Sequence, residues 1–349
     1  MTTVRGDASV AKEGDSELPA GTSVVVPVFN AEATLPELLE QLHTVLDALE
    51  RPYEIILVDD GSRDGSWRII EQAAATGRAR GVALMRNAGQ HNALLCGVRL
   101  ARYATTVTLD DDLQHPPDQL PRLLERLQPG DVDLVYGVPI QPRHAAHRRW
   151  GSWLLRQALA AATTREMARS VNSFRAFRTD LRRAFADFSS PAVVLDVLLS
   201  WGTNRVGAVS VPHRDRAAGR SNYSAAGLLR AALIVLTAFS TAPLRVASLL
   251  GLLMTLFGAA ILAYVLSTYF LEGSLPGFPF LASLAAIFGG AQLFALGILG
   301  EYLAQIFERS MHRPSYTVGA TTDRIAFEPQ PAVPPGTAPF GDQRLLQGA

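Results

Sequence analysis

The chain has 349 residues, enough for one large domain with an added segment, and 48% of them are apolar. Its 32 Lys and Arg balance 32 Asp and Glu, so no net field argues for a nucleic-acid partner. The one cysteine, Cys96, excludes a disulfide framework or a cysteine metal site within the chain.

The first 20 residues, from "MTTVRGDASVAKEGDSELPA", have no apolar core; they read as a disordered leader rather than a signal peptide. From residue 21 to about 220 the chain alternates between two patterns. Short β-branched or apolar runs at 22–29, 53–60, 81–87, 105–111 and 132–137 predict strands. Helical patterns such as "LPELLEQLHTVLDALE" and "GQHNALLCGVRLARY" lie between them, and Cys96 in the second reads as a small buried residue. This alternation predicts an α/β fold, a mostly parallel sheet with helices on both faces. Such sheets bind ligands at the carboxyl ends of their strands. Asn30, Asp59 with Asp60, and Asp110 to Asp112 end three of the predicted strands and should converge there. No G-x-G-x-x-G follows the first strand, so a nicotinamide or flavin dehydrogenase fits poorly.

"DGSRDGSWRIIE" (60–71) matches the spacing of an EF-hand calcium loop, but an EF-hand needs a preceding helix. "EIILVDD" is a strand by composition, so the segment reads as a strand end, a turn and a helix start, capped by Asp64 or Ser66. The acids of "TLDDDLQHPP" (108–117) carry a stronger signal. If the strand continued through them, Asp110 and Asp112 would share one face and Asp111 would point elsewhere. With the amide oxygen of Gln114 they form a hard-oxygen half-site suited to Mg²⁺ or Mn²⁺, completed by substrate phosphates.

The last third is apolar. Residues 246–270 and 274–300 carry no charge except Glu272 between them, and each exceeds the ~20 residues needed to cross a bilayer. The connection, "LEGS", is short, so a transmembrane hairpin over 246–313 is predicted, with both ends on one side. Arg230, Arg245, Arg309 and Arg313 flank it, which places that side in the cytoplasm at the plasma (inner) membrane. Residues 143–170, with Trp150 and Trp153 among arginines, and 221–245 read as interfacial segments. The Pro/Gly-rich residues 314–349 read as a flexible tail.

Taken in order, "VVVPVFNAEATLPELL", "EIILVDDGSRDGS", "RNAGQHNALLCGV", "TLDDDLQHPPDQLPRLL" and "HRDRAAGRSNYS", then a hairpin ending "LGEYLAQIF", resemble the family-2 glycosyltransferases that act on polyprenyl phosphates. The resemblance covers residues 22 to 313 and implies a GT-A fold, a nucleotide-sugar donor (UDP rather than GDP), a divalent metal and a polyprenyl (undecaprenyl) phosphate acceptor. It assigns Pro27, Phe29, Asp59 and Asp60 to the nucleotide pocket, with Asp59 against the base. Asn87, Gly89, Gln90, Asp110 and Asp111 would border the donor, and Asp110, Asp112 and Gln114 match the metal motif D-x-D-x-Q. Arg216, Gly219, Ser221 and Tyr223 match a segment that approaches the phosphates near the membrane. The chain departs from the family pattern at Ala31, where Glu often follows the Asn, and Glu32 comes one place late.

An inverting transfer to a lipid phosphate follows from this. A phosphomonoester is largely dianionic at neutral pH and needs no strong general base, only cations to guide it. Arg175 and Arg216 are the expected guides. Asp196, a single acid in the apolar "SPAVVLDVLLSW", should face the pocket, orienting the sugar or pairing an arginine. Processive polysaccharide synthases and a non-catalytic membrane scaffold are the competing classes. The first usually has more spans and a Q-x-x-R-W motif, where this chain has Ala146; an intact acid motif argues against the second. Beyond substrates and bilayer, the sequence leaves a homo-oligomer open.

Overall fold

The computed structural model describes residues 18–140, 157–190, 192–212, 232, 233, 235–272, 277–311 and 313–323. Its centre is one eight-stranded sheet. The strands are β1 (Thr22–Val28), β2 (Tyr53–Asp59), β3 (Arg80–Leu84), β4 (Thr105–Thr108), β5 (Leu134–Pro139), β6 (Arg175–Arg178), β7 (Val206–Val211) and β8 (Val318–Thr321). They lie in the order β7-β5-β6-β4-β1-β2-β3-β8. The pairings make β6 and β8 antiparallel to their neighbours, while the remaining strands share one direction. The sheet is therefore mostly parallel, as the alternating sequence predicts. Its carboxyl edge collects the ends of β1, β2, β3 and β4, together with the start of β6.

Helices α1 (Leu35–Asp47), α2 (Ser66–Ala75), α3 (Gln90–Leu100), α4 (Leu120–Leu127), α5 (Arg165–Ser170) and α6 (Leu195–Gly202) cover the two faces. Strand alternation divides the core into two layers. Val24, Val26, Ile55 and Leu57 pack with Leu35, Leu38 and Leu42 of α1 and Leu120 and Leu123 of α4. Val25, Ile56 and Val58 face the other way, against α3, including the fully buried Cys96, and against Leu195, Leu198 and Leu199 of α6. β1 is buried along its whole length and tolerates Pro27. Val25 accepts from Leu109 N on the β4 side, and Pro27 faces the same side, where β4 has already ended.

The apolar C-terminal part forms α7 (Ala242–Glu272) and α8 (Phe278–Ser310), each long and apolar enough to cross a membrane. Their strongest apolar stretches are Ala242–Tyr264 and Ile287–Glu308, almost wholly exposed. The second lies further along than the expected 274–300, within a helix that begins at Phe278. The helices run antiparallel: Gly258 lies against the Phe288 ring, and Tyr302 Oη donates to the Ser240 carbonyl at 2.5 Å.

The flexible tail expected from residue 314 does not hold for residues 314–323, which are ordered against the sheet. Ser315 is buried and exchanges hydrogen bonds with Ser190. β8 then pairs with β3, Gly81 N–H donates to Thr322 Oγ1 at 2.8 Å, and Arg80 Nε donates to Asp323 at 2.5 Å. An edge strand with unpaired backbone groups recruits this segment, so composition alone misjudges it. Residues 324–349, the leader before residue 18, and residues 141–156, 213–231 and 273–276 lie outside the described residues.

Candidate active site

The carboxyl edge is built by acids that hold loops in place. Asn30, with φ +53°, leaves β1 in a left-handed turn; its Oδ1 accepts from Arg63 N at 2.8 Å, and its N–H donates to Ser62 Oγ at 2.9 Å. Glu32, one place from the family's usual position, accepts from Gly65 N at 2.9 Å and pairs Arg68 at 3.2 Å. Asp64 accepts from Ser66 N at 3.1 Å, but the N-cap of α2 is Gly65, which makes no side-chain cap bond, so neither Asp64 nor Ser66 is the cap the sequence suggested. "DGSRDGSWRIIE" is therefore a strand end, turn and helix start; the EF-hand reading fails because a strand precedes it.

Asp59 and Asp60 are almost fully buried. Asp59 accepts from Ser62 N at 3.3 Å. Asp60 accepts from Ala88 N at 2.7 Å and Gly89 N at 2.9 Å, which orders the loop carrying Asn87, Gly89 and Gln90. Burial outweighs these hydrogen bonds and raises both carboxyls above the usual range. At Gly61, φ is +73° and a Cβ would sit 2.8 Å from Asn87 N, so only glycine lets the two loops approach. Phe29 stands 41% exposed at the end of β1, a free aromatic face beside Asp59 and Asp111.

The triple acid follows the strand rather than forming part of it. β4 ends at Thr108, and Leu113 takes φ +59°, an uncommon and strained conformation for a bulky residue. Strand alternation, the expected reason for Asp110 and Asp112 to act together, does not apply here. Each acid is aimed by its own partner. Asp110 accepts from Gln90 Nε2 at 2.5 Å and Ser173 Oγ at 2.6 Å. Asp111 turns back to Phe29 N at 3.0 Å. Asp112 accepts from Gln114 N at 3.1 Å. Burial, then the adjacent charges of Asp110 and Asp112, push the Asp111 carboxyl up to about 6. Among the described residues no three His, Cys, Asp or Glu side chains converge as a cage for a metal.

Arg175 and Asp196 correct an expectation. Arg175 is 1% exposed, so its guanidinium does not stand open to guide a phosphate. Its NH1 pairs Asp196, and its Nε donates to Thr108 Oγ1 at 2.9 Å. Tyr136 Oη adds a hydrogen bond to Asp196 at 2.8 Å. Of the two roles open to Asp196, it pairs the arginine. Burial alone would lower Arg175, but the Asp196 charge holds it above its usual value. Sequence reasoning missed Ser173, Tyr136 and Thr108, which the antiparallel insertion of β6 between β4 and β5 brings together. Arg216, Gly219, Ser221 and Tyr223 lie outside the described residues.

Residues 23–185 match the model of glycosyl transferase family 2. The undecaprenyl-phosphate 4-deoxy-4-formamido-L-arabinose transferase of Shewanella sediminis is 35% identical over 302 residues, covering 85% of this chain and 91% of that protein. The chain belongs to glycosyl transferase family 2. The same-named transferase of Pseudomonas aeruginosa is 36% identical over 301 residues, covering 85% of this glycosyltransferase and 88% of its relative. Among solved structures, glucosyl-3-phosphoglycerate synthase from Mycobacterium tuberculosis, in complex with Mn²⁺, UDP-glucose and phosphoglyceric acid, matches with TM-score 0.48 and 20% identity. That match covers 62% of this chain and 79% of the synthase.

Proposed function

We propose that this glycosyltransferase moves a sugar from a nucleoside diphosphate, UDP by similarity, to a polyprenyl phosphate, inverting the anomeric carbon. The observation that carries the reading is the similarity over 91% of a transferase named for undecaprenyl phosphate. Two helices long and apolar enough to cross a membrane support a lipid acceptor. The arginines beside them support a catalytic domain on the cytoplasmic side of the inner membrane, with the "LEGS" connection (271–274) outside.

The acids fit a divalent cation of the Mg²⁺ or Mn²⁺ type. Asp110, Asp112 and Gln114 offer hard oxygens, and the lack of a full protein cage among the described residues leaves ligands to be supplied by donor phosphates. Such an ion supplies Lewis acidity toward the departing diphosphate. The chain's own residues perform the remaining work. Asp59 and the face of Phe29 receive the base, Asp60 holds the Asn87–Gln90 loop along the donor, and Gln90 and Ser173 orient Asp110. The acceptor phosphate oxygen attacks the anomeric carbon as its bond to the diphosphate breaks, with no proton to remove. Arg216, in the segment leading to the membrane, guides that phosphate. Buried Arg175 keeps β6 and its preceding Ser173 in place.

Release of nucleoside diphosphate by the full chain, on adding undecaprenyl phosphate, tests the proposal. Release should require a divalent cation and be lost in Asp112→Ala while membrane insertion persists. Undiminished release in the variant, or with chelator present, rejects the metal assignment. Donor consumption without a lipid-linked product rejects the acceptor.

A further inference from the structure

Trp201 has no part in the site, yet 50% of it is exposed at the end of α6. Its ring meets Phe188 edge-on at 5.6 Å and Phe239 at 6.4 Å, and Phe188 and Phe239 stack at 6.4 Å. Phe239 stands three residues before Ala242, where the first apolar stretch begins. On the other long helix, Tyr302 bonds the carbonyl of the next residue, Ser240. Two amphipathic rings from distant parts of the chain thus reach the same short segment, at the mouth of the hairpin. Trp and Tyr have apolar bodies with one polar tip, and they concentrate at the membrane–water boundary.

We infer that Trp201 and Tyr302 sit in the headgroup layer of the bilayer, so that the end of α6 rests on the membrane. The segment before α7 is packed firmly enough to hold this pose. Ala232 and Val235 are buried against Val197 of α6 and against Ala158 and Leu159, so α6 and the start of the hairpin form one joint. The pose has a consequence for the reaction. Asp196 is five residues before Trp201, about 7.5 Å of helix axis. The Arg175–Asp196 pair at the catalytic edge then lies within roughly one and a half turns of the headgroups, the depth at which a lipid phosphate waits. The inference rests on the hairpin reading, and its test separates the two.

The experiment uses the full chain in liposomes, with Trp67, Trp150 and Trp153 replaced by Phe and Trp201 retained. A matched protein also carrying Trp201→Phe gives the background. Phospholipids brominated near the top of the acyl chain should quench Trp201 more than those brominated near the bilayer centre, and aqueous acrylamide should quench it weakly. Strong acrylamide quenching without bromolipid quenching overturns the inference, because Trp201 then faces water. Protection from both quenchers overturns it in favour of a second copy or another protein over the ring. Should the triple Phe background fold poorly, the loss of bromolipid quenching between the native sequence and Trp201→Phe reads the same contact. Alkaline carbonate extraction is run in parallel. A chain that stays in the pellet with unquenched Trp201 keeps the hairpin and loses this inference; quenching in a chain that carbonate strips away does the reverse.

Discussion

The two edges of the sheet use the same acids in opposite ways. At the amino edge, carboxylates meet arginines. Glu54 and Asp323 flank Arg80, both at 2.5 Å, and Asp133 takes Arg205 at 2.5 Å and Arg178 at 3.3 Å. Burial would raise the Asp133 carboxyl, but hydrogen bonds from Arg205 and Thr203 and the nearby charges hold it below the usual range. At the carboxyl edge the donors reaching Asp59, Asp60 and Asp111 among the described residues are neutral: backbone N–H groups and, at Asp59, the Ser62 hydroxyl. All three carboxyls are raised, with burial as the first cause. One edge neutralises its charge internally and gains stability. The other stores negative charge that a cation and a substrate can relieve, a common signature of a working site.

The Arg175–Asp196 pair is the exception at the carboxyl edge, and it should give the largest stability effect. Replacing one partner of a buried pair leaves an uncompensated charge and costs roughly 3–5 kcal/mol. Asp196→Ala should therefore lower the unfolding midpoint sharply, while Arg175→Met with Asp196→Leu recovers much of the loss. If the double variant is as unstable as the single, the pair contributes through packing instead. Next is Ser173→Ala. Its hydroxyl bonds the Asp110 carboxylate, and a lost hydrogen bond to a charged group costs about 1.5–3 kcal/mol, roughly ten- to a hundredfold. The divalent-cation concentration needed for half-maximal nucleotide binding should rise while unfolding changes little. An unchanged cation requirement would remove Ser173 from the site.

The contrast between the edges also shows what the sequence could convey. Strand ends bearing Asp59, Asp60 and Asp110 to Asp112 were legible, because a parallel sheet sends all such ends to one edge and hydrophobic alternation marks each strand. The amino-edge ion pairs were not, and for Asp196 the sequence offered an arginine partner without saying which. Arg80 meets Asp323 across 243 residues, and Arg175 meets Asp196 only because β6 enters the sheet antiparallel. Periodicity reports which side of a strand is buried, not which strand lies beside it. The "RAFR" of β6 and "VGAT" of β8 are too short to announce themselves. Leu113 is a further example: a leucine carries no local hint of positive φ, so the turn that spoils strand alternation among the acids was hidden.

A smaller effect divides the edges directly. Asp59→Asn keeps an acceptor for Ser62 N–H but removes a buried charge, so it should stabilise the fold by about 1 kcal/mol and reduce transfer. That gain should appear only above the ordinary carboxyl range, where Asp59 is ionised. Asp133→Asn should do the opposite, costing about 1 kcal/mol because its partners are partly exposed, and leaving transfer intact. Paired melting and turnover measurements decide the matter. Two variants moving together in both readouts would mean that the edges are not functionally distinct.

The smallest expected effect is a pH slope at the amino edge, and its sign opposes that of the carboxyl edge. Tyr53 Oη donates to Asp47 at 2.6 Å, so it can only accept from His43 Nδ1–H, 3.0 Å away. In the neutral ring, Nε2 is then a bare acceptor, buried with no partner among the described residues. Burial first, and Arg78 second, lower His43 below its usual 6.5, against a smaller upward pull from Asp47. Between the lowered value and 6.5 the unfolded chain binds the proton and the fold does not, so stability falls as pH drops through that window. Asp59, Asp60 and Asp111 act the other way: their raised carboxyls make the fold lose stability as pH climbs from the unfolded value of 3.8 toward the about 6 of Asp111. The melting profile across this range therefore carries contributions of opposite sign from the two edges. His43→Gln should expose the downward slope of the acids as pH rises, and Asp59→Asn should steepen the upward slope of the histidine. If neither variant tilts the profile, the two edges do not oppose each other in proton linkage.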